Sequence, residues 1–277
     1  MFPIKAAMYT KATDILAQKG AVGLAKEAKR LGFSGVELID LGRGLPFRDA
    51  AEAKECRAIL AEAGLSVVCV SATLDLFTDP MYDGRIAGDL AFCEALGTPY
   101  FHHTVFPYID GRKAPASFAE MLPQSVEKAT EIAKKAEAAG FSCIYEEQGY
   151  IFNGIECFGR FFETVKGNVP SVGVCGDCGN ALFASVEPIA FLRRFLTEIR
   201  HVHLKDYRVE ENAGCLYAKD GTPLTEVKFG EGICHLEECV SLLRSAGYDG
   251  WYSFENNYDG DFEEGVAAGM KFLDRNP

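Results

Sequence analysis

The stretch RHVHLKDY, residues 200–207, decides the fold. Its alternation is that of a strand: Val202 and Leu204 share one face, while His201, His203 and Lys205 share the other. A strand with hydrocarbon on one side and two imidazoles and an ammonium on the other suits a parallel barrel. There one face packs under helices and the other points into the barrel. An unpaired charge in that interior is costly, so these inward groups need partners or a ligand.

The rest of the sequence supplies the barrel. Short β-type runs alternate with long amphipathic runs. The strands expected are 4–8, 35–39, 66–71, 100–105, 141–146, 172–177, 201–206 and 251–256. The runs between them carry apolar residues at three- and four-residue steps, and several end at a glycine (Gly32, Gly64, Gly97, Gly140), as helices do before a strand. Eight strand–helix units in 277 residues match a (β/α)₈ TIM barrel of the α/β class. No glycine-rich phosphate loop follows the first strand, which disfavours a doubly wound sheet. No linker divides the chain, so residues 1–277 are read as one TIM-barrel domain, with a longer loop insertion at about 208–232 after the seventh strand.

Composition narrows the function. A net charge of −12 and no basic cluster argue against nucleic acid as a partner. No apolar run is long enough to span a membrane, and the N-terminus lacks a signal peptide's layout, so a cytoplasmic location is expected. Most of the ten cysteines lie in apolar runs, as free thiols in a reducing compartment do. CGDC (175–178) has no second pair at zinc-finger spacing.

Extending the in-and-out alternation to the last four strands turns Glu146, Asp177, His203 and Glu255 inward at the strand ends. Three clustered carboxylates repel one another unless a cation neutralises them. Together with the imidazole they suit one divalent ion: Mn²⁺ first, with Mg²⁺, Co²⁺, Zn²⁺ or Fe²⁺ as alternatives. The same alternation turns Glu37 and His102 inward, Glu37 either toward substrate or toward Lys5. Lys205 and the loop residue Glu231 complete the candidates for substrate contact. Trp251 is placed deep, as barrel core.

GFSCIYEEQ (140–148), PSVGVCGDCGN (170–180), RHVHLKDY, FGEG (229–232) and YDGWYSFE (248–255) together resemble the sugar isomerase/epimerase superfamily with the xylose isomerase-like barrel. The resemblance implies that Glu146, Asp177, His203 and Glu255 hold one metal. It also implies that Glu146 and Glu255 are the acid–base pair. One position departs: Asn180 stands where the family often has histidine. Asparagine can bond a substrate hydroxyl but is a poor metal ligand, which weighs against a multi-metal DNA endonuclease.

The expected activity is metal-dependent sugar isomerisation or epimerisation through a cis-enediolate. Dehydration of a keto-sugar or keto-cyclitol is the alternative on the same site. The expected partner is a small-molecule sugar or keto-cyclitol, and a homo-oligomer is compatible with the sequence.

Overall fold

The computed structural model describes residues 5–79, 82–109, 114–212, 214–257 and 260–275. In chain order it has β1 (Lys5–Met8), α1 (Ala12–Arg30), β2 (Gly35–Asp40), α2 (Ala50–Glu62), β3 (Ser66–Ala72), α3 (Tyr82–Leu96), β4 (Tyr100–His103) and α4 (Phe118–Ala138). It continues with β5 (Ser142–Tyr145), α5 (Ile155–Asn168), β6 (Gly173–Asp177), α6 (Pro188–Phe195) and β7 (Ile199–Leu204). Then come β8 (Asp206–Val209), β9 (Leu216–Tyr217), β10 (Pro223–Val227), α7 (Leu236–Ser245), β11 (Trp251–Phe254) and α8 (Phe262–Arg275). The expected first strand began at Ile4, which lies outside the described residues.

Parallel pairing closes a barrel in the order β1-β11-β7-β6-β5-β4-β3-β2, the (β/α)₈ arrangement. Closure is made by β1 against β11, with Lys5 opposite Trp251 and Met8 opposite Phe254. Gly32, Gly64, Gly97 and Gly140 all have positive φ, the left-handed conformation that ends a helix without a Cβ penalty. Outward residues such as Val202, Leu204, Cys143, Tyr145 and Phe254 join the large core beneath the helices.

The interior is layered, as in other barrels of this size. Ala7, Val68, Cys69, Ile144 and Cys175 form a separate apolar plug, with Tyr100 and Trp251 packed against it. One pleat further along the strands the interior turns polar: Cys69 gives way to Ser71, Ile144 to Glu146 and Cys175 to Asp177. Cys178 belongs to the outer core and Cys175 to the plug, so CGDC presents its thiols to different sides.

The segment after β7 is more than a loop. β8, β10 and β9 form a small antiparallel sheet, with Glu226 opposite Tyr207 and Val227 opposite Asp206. The hairpin between β9 and β10 turns at Asp220-Gly221, with Gly221 at φ 89°.

Candidate active site

Four side chains converge at the C-terminal mouth. Glu146 follows β5, Asp177 ends β6, His203 is the penultimate residue of β7, and Glu255 follows β11. The register sets Asp177 and Ser253 on either side of His203. One ligand atom from each of Glu146, Asp177, His203 and Glu255 lies within 4.8 Å of all the others. Nδ1 of His203 sits 2.8 Å from Glu146 Oε1 and 3.5 Å from Glu255 Oε2. Asp177 spends Oδ1 on the backbone N–H groups of Gly179 (2.7 Å) and Asn180 (2.6 Å). Its buried Oδ2 has no hydrogen-bond partner. Burial pushes its carboxyl up to about 6 against the pull of Lys205. A carboxylate oxygen without a hydrogen bond, among two more carboxylates and an imidazole nitrogen, is a donor set that fits a divalent cation.

Beneath this set lies Glu37, fully buried. Its Oε1 accepts the Ser71 hydroxyl at 2.5 Å, and Oε2 lies 2.8 Å from Nε2 of His201. Nε2 of His203 lies 3.1 and 3.3 Å from the two oxygens. Burial alone would raise its pKa, but His203 and His201 hold it well below the usual carboxylate range. For His203 the balance is the mirror image. Burial opposes its charge, yet Cys175, Glu37 and Glu146 push it well above the ordinary imidazole value. Tyr9 stacks on its ring, centroids 4.9 Å apart. Glu37 therefore touches neither Lys5, whose ammonium donates to the Asp249 carbonyl (2.9 Å), nor the mouth. It stands behind the ligand set.

His102 faces the interior from β4. Nδ1 is 3.0 Å from Ser71 Oγ, and Nε2, buried and without a hydrogen-bond partner, is 3.7 Å from Glu146 Oε2. Burial drives its pKa down to about 3, so the ring is neutral. Lys205 is buried and reaches three groups: Glu255 Oε1 at 2.7 Å, Asn180 Oδ1 at 3.1 Å and Asp177 Oδ2 at 3.4 Å. Burial lowers its pKa, but Asp177 and Glu255 outweigh that and raise it well above the normal lysine value. Asn180 is buried too. Its carbonyl oxygen is held by Lys205, and its Nδ2 has no partner.

Glu231 is not brought to this cluster. It is exposed between Gly230 and Gly232, whose N–H groups turn inward onto Asp206 Oδ2, both at 2.9 Å. The turn that presents these two amides leaves the Glu231 side chain outside. The acid that the insertion does bring near is Glu226 on β10. Burial pushes its carboxyl up to about 7, with Lys205, Glu255 and Asp177 among the charges it feels. Glu226 Oε1 also accepts the N–H of Asn257 at 2.5 Å, tying the insertion to the segment that follows Glu255. Sequence reasoning passes over Glu226 because 208–232 reads as a loop. The Asp-Gly turn at 220–221 is the available sign of a hairpin. Glu147 is passed over as well. Both its oxygens are buried, and burial with Asp177 and Glu146 nearby raises its carboxyl well above the usual range.

Among the described residues no helix is long and apolar enough to cross a membrane. The chain matches part of an inosose dehydratase 2 from Bacillus cereus, 27% identical over 135 residues. That stretch is 46% of this chain and 44% of the relative, so the chain spans less than half the length of the curated relatives it matches. Two solved structures share the fold over nearly their whole length. One is the D-psicose 3-epimerase of Clostridium cellulolyticum H10, with D-tagatose: TM-score 0.73, 17% identity, 99% of this chain and 98% of that one. The other is a xylose isomerase-like TIM barrel protein from Mycobacterium smegmatis in complex with magnesium: TM-score 0.69, 17% identity, 99% and 95%. The family model for the xylose isomerase-like TIM barrel matches residues 25–276. With that match running from the first helix to the last, over a closed barrel, the chain belongs to the xylose isomerase-like TIM barrel family.

Proposed function

We propose that this protein is a sugar-modifying enzyme that moves a proton at a carbon beside a carbonyl, as an isomerase or epimerase of a sugar or keto-cyclitol. The observation that carries this is the pair Glu146 and Glu255. Each places an oxygen near Nδ1 of the same imidazole, His203, from a different strand of the barrel. Two carboxylates flanking one site are what removal and return of a carbon-bound proton require. One takes the proton as a carboxylate; the other, as the acid, returns one from the opposite face. Delivery to the same carbon epimerises, and delivery to the neighbouring carbon isomerises.

Glu146, Asp177, His203 and Glu255 would hold one divalent ion, Mn²⁺ by the carboxylate-rich donor set. Its contribution when bound is Lewis acidity toward the carbonyl oxygen. Asn180 Nδ2 is a free donor for a substrate oxygen, and Lys205 keeps Glu255 and Asn180 in place. The apolar plug closes the barrel beneath the site and keeps water out from below. The chain is read as one domain, with the insertion as part of the mouth.

Dehydration is the second reading. Lys205 favours it, as a buried ammonium 2.7 Å from Glu255 that can hand a proton to a departing hydroxyl. The partial match to an inosose dehydratase agrees with it. The test is NMR of ketose and inosose panels in D₂O with Mn²⁺-loaded protein. Deuterium entering one C–H position without loss of oxygen supports isomerase or epimerase chemistry. Loss of a hydroxyl, abolished in Lys205→Met while deuterium exchange persists, supports dehydration. No exchange into any substrate of either panel rejects both.

A further inference from the structure

We infer that Glu37 is a positioning residue that fixes how two imidazoles are turned, His203 directly and His102 through Ser71, so that His203 presents Nδ1 and His102 a bare Nε2 toward the mouth. This deepens the proposed function and rests on it, because it names what the two nitrogens would receive: a cation at His203 and a hydroxyl proton of a polyol at His102.

The argument is a count of protons. Ser71 has one hydroxyl proton, and it goes to Glu37 Oε1 at 2.5 Å, the shortest contact of that hydroxyl. The Ser71 contact with Nδ1 of His102, at 3.0 Å, must then be an N–H donating to the hydroxyl oxygen. A neutral imidazole with its proton on Nδ1 has a lone pair on Nε2. That Nε2 is buried, has no hydrogen-bond partner, and lies 3.7 Å from Glu146 Oε2, too far for a hydrogen bond. An acceptor buried without a donor is costly, which marks it as prepared for an incoming O–H.

The same count serves His203. Nε2 faces both Glu37 oxygens, at 3.1 and 3.3 Å, so it carries a proton. Nδ1 is then the nitrogen that, once its proton has left to solvent, would offer its lone pair to a cation among Glu146, Asp177 and Glu255. A carboxylate behind a ligating histidine is a recurrent way to set ring orientation and raise ligand basicity. Here one carboxylate does this for two rings, and His201 Nε2 at 2.8 Å and Ser253 Oγ, 2.9 Å from that nitrogen, close the cluster from behind. For the substrate, a bare His102 Nε2 selects a hydroxyl at the facing carbon. A carbonyl or ether there would leave two acceptors facing each other.

Two measurements that need no turnover test this. Histidine tautomers are read by ¹⁵N NMR of metal-free protein labelled at histidine, and Mn²⁺ affinity by EPR titration. In wild type, His102 should carry its proton on Nδ1. Ser71→Ala should release that preference and leave Mn²⁺ affinity unchanged. Glu37→Gln should release it too and weaken Mn²⁺ binding roughly 10- to 100-fold, the usual cost of losing such a partner. If Glu37→Gln does not fold, Glu37→Asp, one methylene short, should weaken Mn²⁺ binding less than that range while retaining fold. A His102 protonated on Nε2 in wild type overturns the inference. So does undiminished Mn²⁺ affinity in the folded Glu37 variants, or a Ser71→Ala loss as large as that of Glu37→Gln. Failure of the proposed reaction, with these results obtained, would leave the positioning role standing and reject only the reading of the chemistry.

Discussion

Asp206 offers the sharpest test of how the mouth is held. It is almost fully buried and opens β8, one residue beyond the end of the β7 strand that carries His203. Its Oδ1 accepts the N–H groups of Tyr207 (3.0 Å) and Cys234 (3.2 Å), and its Oδ2 those of Gly230 and Gly232 (both 2.9 Å). Four backbone donors thus converge on one carboxylate. Gly232 is needed for this approach, since a Cβ there would stand 2.2 Å from Asp206 Oδ1 and 2.3 Å from the Tyr207 carbonyl oxygen. In Asp206→Ala all four donors lose their acceptor. Gly230 is exposed and recovers water, and Gly232 partly does; Tyr207 and Cys234 are buried and do not. At about 1–3 kcal/mol for each buried donor left unsatisfied, the loss is about 4 kcal/mol. Asp206→Asn keeps one oxygen but turns an amide N–H₂ toward the other pair of donors, so about half that loss is expected. Urea denaturation of the three proteins gives the magnitudes. Amide hydrogen exchange at 230, 232 and 234 shows whether the insertion detaches first. Asp206→Ala within about 1 kcal/mol of wild type, a loss typical of an ordinary substitution, would refute the clamp.

Four further outcomes are expected. Glu146→Gln and Glu255→Gln should each lower turnover by about 10²- to 10⁴-fold, read by steady-state kinetics on whichever substrate shows exchange. His203→Ala should abolish Mn²⁺ binding in an EPR titration, since it removes the only nitrogen of the ligand set. Asn180→Ala should cost about 1 kcal/mol in kcat/KM, the worth of one neutral hydrogen bond, with Mn²⁺ content unchanged by elemental analysis. Asp89 is buried beside Asp40, and burial first, then Asp40, pushes its carboxyl up to about 7 from an ordinary 3.8. A raised carboxyl binds its proton more tightly when folded. The stability it confers is therefore full below 3.8 and lost as pH rises toward about 7, at up to about 1.4 kcal/mol per pH unit. Asp89→Asn should flatten that decline in denaturation curves measured from pH 4 to 8; parallel curves for mutant and wild type would dismiss it.

The barrel was legible because strand period and helix period are both local. The two-residue alternation of Val202, His203 and Leu204 holds in the structure, and so does the glycine that ends each of four helices. Alternation also picked out the four side chains that converge at the mouth, since Glu146, Asp177, His203 and Glu255 each sit at a strand end whose phase could be read from its own neighbours. What stayed hidden depends on contacts across the chain. Glu37 was seen to face inward, but its partners are 164 and 166 residues away, and β2 shifts register against β3 between Val36 and Glu37. Glu226 was missed because a three-stranded sheet inside an insertion has no amphipathic signal of its own. Glu231 was put forward because it lies in a motif, whereas the motif's work is done by its two glycine amides.

The pairing of β1 with β11 has a consequence for synthesis. Lys5 leaves the ribosome well before Trp251, yet in the barrel they are neighbours. Until β11 emerges, the nascent sheet has two raw edges, β1 and β7, and a half-built polar interior open to other chains. Ser253 and Glu255 arrive with that final strand, so the cluster behind His203 and the ligand set in front of it are completed in one event. A chain that stalls or is cut before β11 would be both inactive and prone to aggregate, whereas one that closes gains its seal and its last carboxylate together.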